Sequence, residues 1–232
     1  MMKNKILLVG SGGSLTDSKL GSKIDNFEGL VCRFNLFSVE GFENDVGSRT
    51  DVWCINSKAY YNCYFEGVET LNLEKEIYFE DLENFKGDIL IAGTRHLWGK
   101  YADSGYMQEA IDELDIVKVM NYESLKLGFK LVGSHKYSYD TERTHKMIPS
   151  SGFQAIMHYL SEGYEVYLVG FDSSNEKIQD KLSHYYSEHK YVSDNTIDIN
   201  SSPLLSLKQH NYKKETEIIN MLEIIKSIKR LD

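Results

Sequence analysis

Residues 6–51 read ILLVGSGGSLTDSKLGSKIDNFEGLVCRFNLFSVEGFENDVGSRTD. The apolar run Ile6-Leu7-Leu8-Val9 stops at Gly10-Ser11-Gly12-Gly13-Ser14, the pattern of a buried strand running into a loop whose backbone comes close to a neighbour or a ligand. Small side chains there leave the amide N–H groups of Ser11 to Ser14 able to face an anion, and a helix beginning nearby would add its positive end. The cluster matches neither the dinucleotide fingerprint nor the Lys-bearing phosphate loop. By itself it serves equally well as a plain tight turn.

Outward from this stretch, strand-like runs recur at Ile6–Val9, Leu30–Phe34, Val52–Ile55, Ile89–Ala92, Ile116–Met120 and Val166–Val169. Helical periodicity separates them, clearest at Tyr106–Leu114, Tyr122–Leu127, Gly152–Ser161 and Glu215–Leu231. Such alternation predicts an α/β fold with a mostly parallel sheet and helices on both faces. A chain of 232 residues is long enough for one full core, so residues 1–232 are expected to form a single domain. The stretch from Ser173 to about Pro203 lacks periodicity and is rich in Ser, Asn, Asp, Lys and Tyr, which suits an active-site lid, with disorder without function as the rival reading.

Composition narrows the function. A formal charge of −9 and a pI near 5.3 speak against nucleic acid as a partner and against binding to an acidic membrane through net charge. The N-terminal apolar run is too short for a signal or a membrane span, so the expectation is a soluble, cytoplasmic chain. The C-terminal Ile-rich helix leaves peripheral membrane contact open, although Ile218, Leu222 and Ile225 would more simply pack on the sheet. Lys226, Lys229 and Arg230 would then suit its last turn. Cys32, Cys54 and Cys63 form no metal-type pairing, and two of them fall in apolar runs. Buried thiols are the favoured reading.

Three further clusters could carry chemistry. Ile148-Pro149-Ser150-Ser151-Gly152 opens a helix, followed by the strand Glu165–Gly170 and by Phe171-Asp172. Its hydroxyls and amides suit an anion, and Ser150 or Ser151 suits a helix N-cap just as well. His184-Tyr185-Tyr186 can donate hydrogen bonds to a phosphate leaving group or be surface decoration. His210-Asn211-Tyr212-Lys213-Lys214-Glu215 precedes the C-terminal helix, where a lone histidine is ordinarily a cap or a solvated side chain.

Taken together, these stretches resemble the sialyltransferases of the animal type, glycosyltransferase family 29. The long donor motif of that family is similar to Gly21, Ile24-Asp25, Val31, Arg33, Asn35, Gly41-Phe42-Glu43, Asp45-Val46-Gly47 and Arg49-Thr50. Its short motif is similar to Pro149-Ser150-Ser151-Gly152, its third to His184-Tyr185-Tyr186, and its very short motif to His210 with Glu215, all in the family's order. Two departures stand out. Ser11 occupies a place where the family has Asn, and Ser187 one where it has an acid.

The resemblance implies a Rossmann-like fold of the GT-A variant type and a soluble, bacterial or viral-like member, since neither the animal members' anchor nor their motif-joining disulfide has a counterpart in these residues. It implies an inverting transferase that moves sialic acid from CMP-sialic acid to a hydroxyl of an oligosaccharide or glycolipid acceptor. His210 would be the catalytic base, with an imidazole pKa of about 6.5 suited to neutral pH. His184 and Tyr185 would steady the leaving phosphate. Ser11, Gly12, Gly13, Asn35, Ser150, Ser151 and Gly152 would bind the donor. No cofactor or metal is expected, because the chain lacks an Asp-any-Asp element after a strand and CMP brings a single phosphate. Residues 60–146 match nothing in the family and are expected to serve the acceptor; within them Arg95-His96-Leu97-Trp98 could place a cation and an aromatic at the pocket edge, and core or rim packing of Trp98 fits as well. The alternatives are a transferase for another CMP-activated ulosonic acid such as Kdo, and a nucleotide-binding module without chemistry. The presence of both His184 and His210 weighs against the second.

Overall fold

The computed structural model describes residues 4–56, 84–92, 117–132, 149–172 and 212–231. Strand β1 (Lys5–Val9) leads through a 3-10 turn (Gly13–Leu15) to helix α1 (Gly21–Asp25). Then come β2 (Leu30–Phe34), α2 (Glu43–Val46), β3 (Val52–Asn56), β4 (Asp88–Ala92) and β5 (Val117–Val119). The last third holds α3 (Tyr122–Leu131), α4 (Ser151–Ser161), β6 (Glu165–Val169), α5 (Tyr212–Ile224) and β7 (Ile228–Arg230). The strands form one sheet in the order β5-β4-β3-β2-β1-β6-β7, every neighbouring pair parallel.

Both faces of the sheet are covered, which is why its strands read as near-continuous apolar runs rather than as alternating ones. Ile6, Leu8, Cys32, Phe34, Val52, Cys54, Val166 and Leu168 point to one face, where Phe153, Ile156 and Met157 of α4 and Ile218 and Ile219 of α5 meet them. Leu7, Val9, Val31 and Val169 point to the other and pack on Leu15, Ile24 and Val46. The α/β expectation with helices on both faces therefore holds, as does the buried state of Cys32 and Cys54, both free thiols. Cys63, the helix expected at 106–114 and the lid expected at 173–203 lie outside the described residues. No helix among the described residues is long and apolar enough to cross a membrane.

One expectation fails at the C-terminus. The helix read from Glu215 to Leu231 runs instead from Tyr212 to Ile224, and residues 228–230 add a seventh strand beside β6. The chain leaves the helix at Lys226, whose φ is +58°. The Ser227 amide bonds the Leu222 carbonyl at 2.8 Å and the Lys226 amide that of Glu223 at 2.9 Å, so a left-handed residue closes the last turn. Lys229 and Arg230, read as helix-end charges, are strand residues paired with Glu165 and Glu223 respectively. Ile225 is exposed rather than packed on the sheet.

The long stretch 6–51 is braced by its own polar residues. Arg33, 1 % exposed, donates through Nε to Thr50 Oγ1 (3.0 Å) and the Arg49 carbonyl (3.2 Å), and through Nη2 to the Val46 carbonyl (2.5 Å). Asp25 accepts from the Ser48 and Arg49 amides, both at 2.8 Å. Asp45 accepts from the Asp17 and Lys19 amides, two residues held at positive φ. Helices of five and four residues cannot fix themselves. These bonds hold α1 and α2 on the sheet and so set the ends of β1, β2 and β3.

Candidate active site

In a parallel sheet every strand ends at the same edge, and ligands favour the crevice where strand order reverses. Here the chain builds outward from β1 through β2 to β5 on one side and places β6 on the other. The switch therefore falls between the loop Gly10–Ser14 after β1 and the loop Gly170–Asp172 after β6.

The two loops are tied directly to each other. Gly10 donates to the Val169 carbonyl at 2.8 Å and Gly12 to the Gly170 carbonyl at 3.0 Å. The Asp172 carboxylate takes the Ser14 amide at 2.6 Å and the Ser14 hydroxyl at 2.5 Å. A Cβ on Gly12 would stand 2.3 Å from Asp172 Oδ2 and 2.6 Å from the Gly170 carbonyl oxygen. Glycine is thus required there by the approach of a neighbouring loop. Of the four amides expected to face an anion, those of Gly12 and Ser14 are engaged within the protein. Those of Ser11 and Gly13 have no partner among the described residues.

Asn35 follows β2 at the same edge, with φ +45°, a region that asparagine tolerates better than most residues. Its amide N–H bonds the Cys54 carbonyl at 2.8 Å, and its carbonyl accepts from Trp53 Nε1 at 2.7 Å. Its Oδ1 accepts from the Asn56 amide at 2.9 Å and from Asn56 Nδ2 at 3.2 Å. Among the described residues only Nδ2 is left without a partner, and the residue is half-buried at the strand end.

Helix α4 runs back against the strands, so its N-terminus reaches this edge. Ser150 is its N-cap, accepting from the Phe153 amide at 3.2 Å. The Ser150 hydroxyl and amide in turn both donate at 2.7 Å to the Glu215 carboxylate on α5. Burial pushes Glu215 up to about pH 7 for half-protonation, against the pull of those two hydrogen bonds. Gly152 sits under the Phe171 ring, which a Cβ would meet at 2.8 Å, and that ring meets Phe34 edge-on at 6.0 Å. Phe171 thereby joins the α4 terminus to the ends of β6 and β2. The Phe171 carbonyl is braced by Arg230 Nη1 of β7 at 3.4 Å.

The residues read from the sequence thus fall into three groups. Ser11, Gly12, Gly13, Asn35, Ser150, Ser151 and Gly152 gather at one edge of the sheet. Among them Ser150 is held as N-cap and Glu215 partner, and Gly12 as a close-packing residue. The groups without a partner among the described residues are the Ser11 and Gly13 amides, Asn35 Nδ2, and the amides of Ser151 and Gly152 at the helix start. His184, Tyr185 and His210, together with Arg95–Trp98, lie outside the described residues. Asp172 and Asn56 were given no role by the sequence reading. Asp172 follows a recognised strand end, and Asn56 is the polar residue that ends the run Val52–Ile55, which is the signal that could have singled it out. Among the described residues no group of three His, Cys, Asp or Glu side chains is placed to hold a metal ion.

Comparison with known proteins places these features. The model of glycosyltransferase family 29 (sialyltransferase) matches residues 4–226. A beta-galactoside alpha-2,6-sialyltransferase 2 from Rattus norvegicus is 28 % identical over 190 residues, 77 % of this chain and 33 % of its own length. A CMP-N-acetylneuraminate-beta-1,4-galactoside alpha-2,3-sialyltransferase from Mus musculus is 48 % identical over 46 residues, 20 % of this chain and 12 % of its own length. The chain therefore spans a third or less of these two relatives. A crystal structure of a mammalian sialyltransferase in complex with Gal-beta-1-3GalNAc-ortho-nitrophenol shares the fold, with TM-score 0.56 and 20 % identity over 99 % of this chain and 69 % of that one.

These relatives overturn the cytoplasmic expectation, because animal family 29 sialyltransferases are enzymes of the Golgi lumen. The short apolar run at the start of the chain, which had suggested the cytoplasm, is strand β1. A buried strand carries no information about compartment.

Proposed function

This chain belongs to glycosyltransferase family 29, the sialyltransferases, and from that membership we propose that it transfers sialic acid from CMP-sialic acid to a hydroxyl of a glycan acceptor. The observation that carries the reading is the match over residues 4–226 together with the gathering of its donor-motif residues at one sheet edge. The nucleotide lies across the ends of β1 and β2, with its acceptor atoms facing the Ser11 and Gly13 amides and Asn35 Nδ2. The start of α4 favours the donor's negative charge through the amides of Ser151 and Gly152.

In the transfer, the acceptor hydroxyl oxygen attacks the anomeric carbon as the bond to the CMP phosphate breaks and its electron pair leaves with the phosphate. His210 takes the hydroxyl proton. His184 and Tyr185 donate hydrogen bonds to the departing phosphate. Inversion follows from a single displacement. The reaction needs no metal, since the donor brings a single phosphate and the charge that develops on it can be met by hydrogen-bond donors. Residues 173–203 act as the lid, residues 1–232 form one catalytic domain, and acceptor choice rests with residues 60–146.

The test is incubation with CMP-sialic acid and a panel of galactose-terminated acceptors in the presence of EDTA, with CMP release and sialylated product measured together. Product formation supports the reading. Turnover of CMP-Kdo with none of CMP-sialic acid would assign a different sugar, and tight CMP binding with no turnover of either would leave a binding module.

A further inference from the structure

Asn35 has four polar groups, and three of them are engaged among the described residues. Its N–H, its C=O and its Oδ1 are bonded to Cys54, Trp53 and Asn56. The orientation of the side-chain amide is decided at Asn56, because a backbone N–H and an Nδ2 are both donors and both lie within reach of the same atom. Two donors can be met only by an oxygen. With Oδ1 fixed toward Asn56 at the end of β3, Nδ2 is left as the donor of the side chain, without a partner among the described residues.

We propose that Asn56 is a positioning residue of the donor site: it locks the Asn35 amide so that a hydrogen-bond donor, never an acceptor, faces the nucleotide. The proposal rests on the functional reading above, and adds to it a residue at the end of the neighbouring strand. A free amide would present its oxygen part of the time, and oxygen against a phosphate oxygen or a pyrimidine carbonyl is repulsive. The lock removes that state before the ligand arrives, so its effect falls on donor affinity rather than on the chemical step.

The test uses the whole chain and CMP as the probe. Binding is measured by calorimetry for the wild type, Asn35→Ala, Asn56→Asp and the double variant, with thermal melts to establish that each is folded. Asn56→Asp sets a carboxylate oxygen against Asn35 Oδ1, so CMP binding should weaken on the order of tenfold. In the Asn35→Ala background, where no amide is left to turn, the same change should have little further effect. Asn56→Ala keeps the backbone donor and should cost only about threefold, with KM for the donor rising and kcat near that of the wild type. Equal weakening by Asn56→Asp in both backgrounds would mean direct charge repulsion or a loosened sheet edge, and overturns the proposal. So does an Asn56→Asp variant that binds CMP like the wild type. A wild-type chain that binds no CMP refutes the functional reading and the proposal with it, a result no variant comparison can imitate.

Discussion

Glu215 on α5 accepts two hydrogen bonds from the N-cap of α4, from the Ser150 amide and from the Ser150 hydroxyl, each at 2.7 Å. The two residues are 65 positions apart and Glu215 is 1 % exposed. One carboxylate thus fixes the start of α5 to the start of α4 at the edge of the sheet. It satisfies a backbone donor that the helix itself cannot reach. In the sequence Glu215 is paired with His210 in the very short motif. Its observed partner is Ser150, so any hold on His210 acts through the anchored start of α5.

Glu215 makes the stability of the protein depend on pH in an unusual direction. Its folded-state pKa is about 7, above the ordinary glutamate value of about 4.5. Between those values the native state holds more protons than the unfolded one, so this group's contribution is full below about pH 4.5 and is lost as pH rises through 7. The swing is on the order of 3 kcal/mol. Glu215→Gln should remove it, since the Ser150 hydroxyl can turn to accept from the new amide. Denaturant unfolding at pH 5 and pH 8 measures this: the wild type should lose stability relative to Glu215→Gln across the interval, and parallel behaviour of the two would refute it.

Asp172 holds the loop after β1 through the Ser14 amide and hydroxyl. Asp172→Asn keeps one oxygen for the Ser14 amide, while the hydroxyl can turn to accept from the new Nδ2. We expect a stability loss of about 1 kcal/mol or less and a donor KM within a few-fold of the wild type. Asp172→Ala removes both bonds and frees the loop, so its donor KM should rise more steeply, on the order of tenfold. Steady-state kinetics against CMP-sialic acid distinguish the two. Equal values for both variants would show that the Asp172 bonds do not set the loop.

Much of this was readable in the chain. Six of the seven strands among the described residues announced themselves because a parallel strand buried on both faces is an uninterrupted apolar run, as in Ile6–Val9 and Ile89–Ala92. The seventh did not. Ile228–Arg230 is three residues long, and Ile218, Leu222 and Ile225 continue the helical period up to it without a glycine or proline to break the pattern. At the site, Ser150 as an N-cap was legible from its type and place, because a cap is a local event. Its bond to Glu215, the Asp172–Ser14 tie and the Asn35–Asn56 lock were not. Each joins residues from separate elements, and the distance between them is set by the sheet order. The distinctive residues Arg33, Asp45, Arg49 and Thr50 brace the scaffold, whereas Asn35 keeps a side-chain donor, Nδ2, without a partner among the described residues.

The stop at Lys226 gives a stability prediction of its own. A lysine at φ +58° carries a steric cost that glycine avoids. Lys226→Gly should stabilise the protein by roughly 0.5–1 kcal/mol, and the β-branched Lys226→Val should destabilise it. Thermal melts of the two variants should move in opposite directions. A destabilised Lys226→Gly would contradict the left-handed closure of α5.

The thiols of Cys32 and Cys54 should be inert in the folded protein. Both are fully buried, and burial, together with the neighbouring Cys32 thiol, pushes Cys54 well above its ordinary value. A thiol must ionise and be reached before it reacts. Iodoacetamide at pH 8 should leave peptides containing Cys32 and Cys54 unmodified in the native state and label them in denaturant, as read by mass spectrometry. Native-state labelling at either position would place that strand end at the surface.

The last prediction separates chemistry from anchoring. His210 lies five residues before Glu215 in the chain, so a change at either can stop turnover for different reasons. If His210 is the base, His210→Ala removes proton transfer alone. kcat should then fall by about 10²–10⁴, with CMP affinity and melting temperature close to the wild type. Glu215→Ala leaves the half-buried Ser150 amide and hydroxyl without their acceptor and opens a small void. That should cost on the order of 2–4 kcal/mol and weaken CMP binding as well, because the start of α4 loosens with it. A His210→Ala enzyme that still turns over CMP-sialic acid at the wild-type rate would remove His210 from the mechanism, whatever Glu215→Ala does.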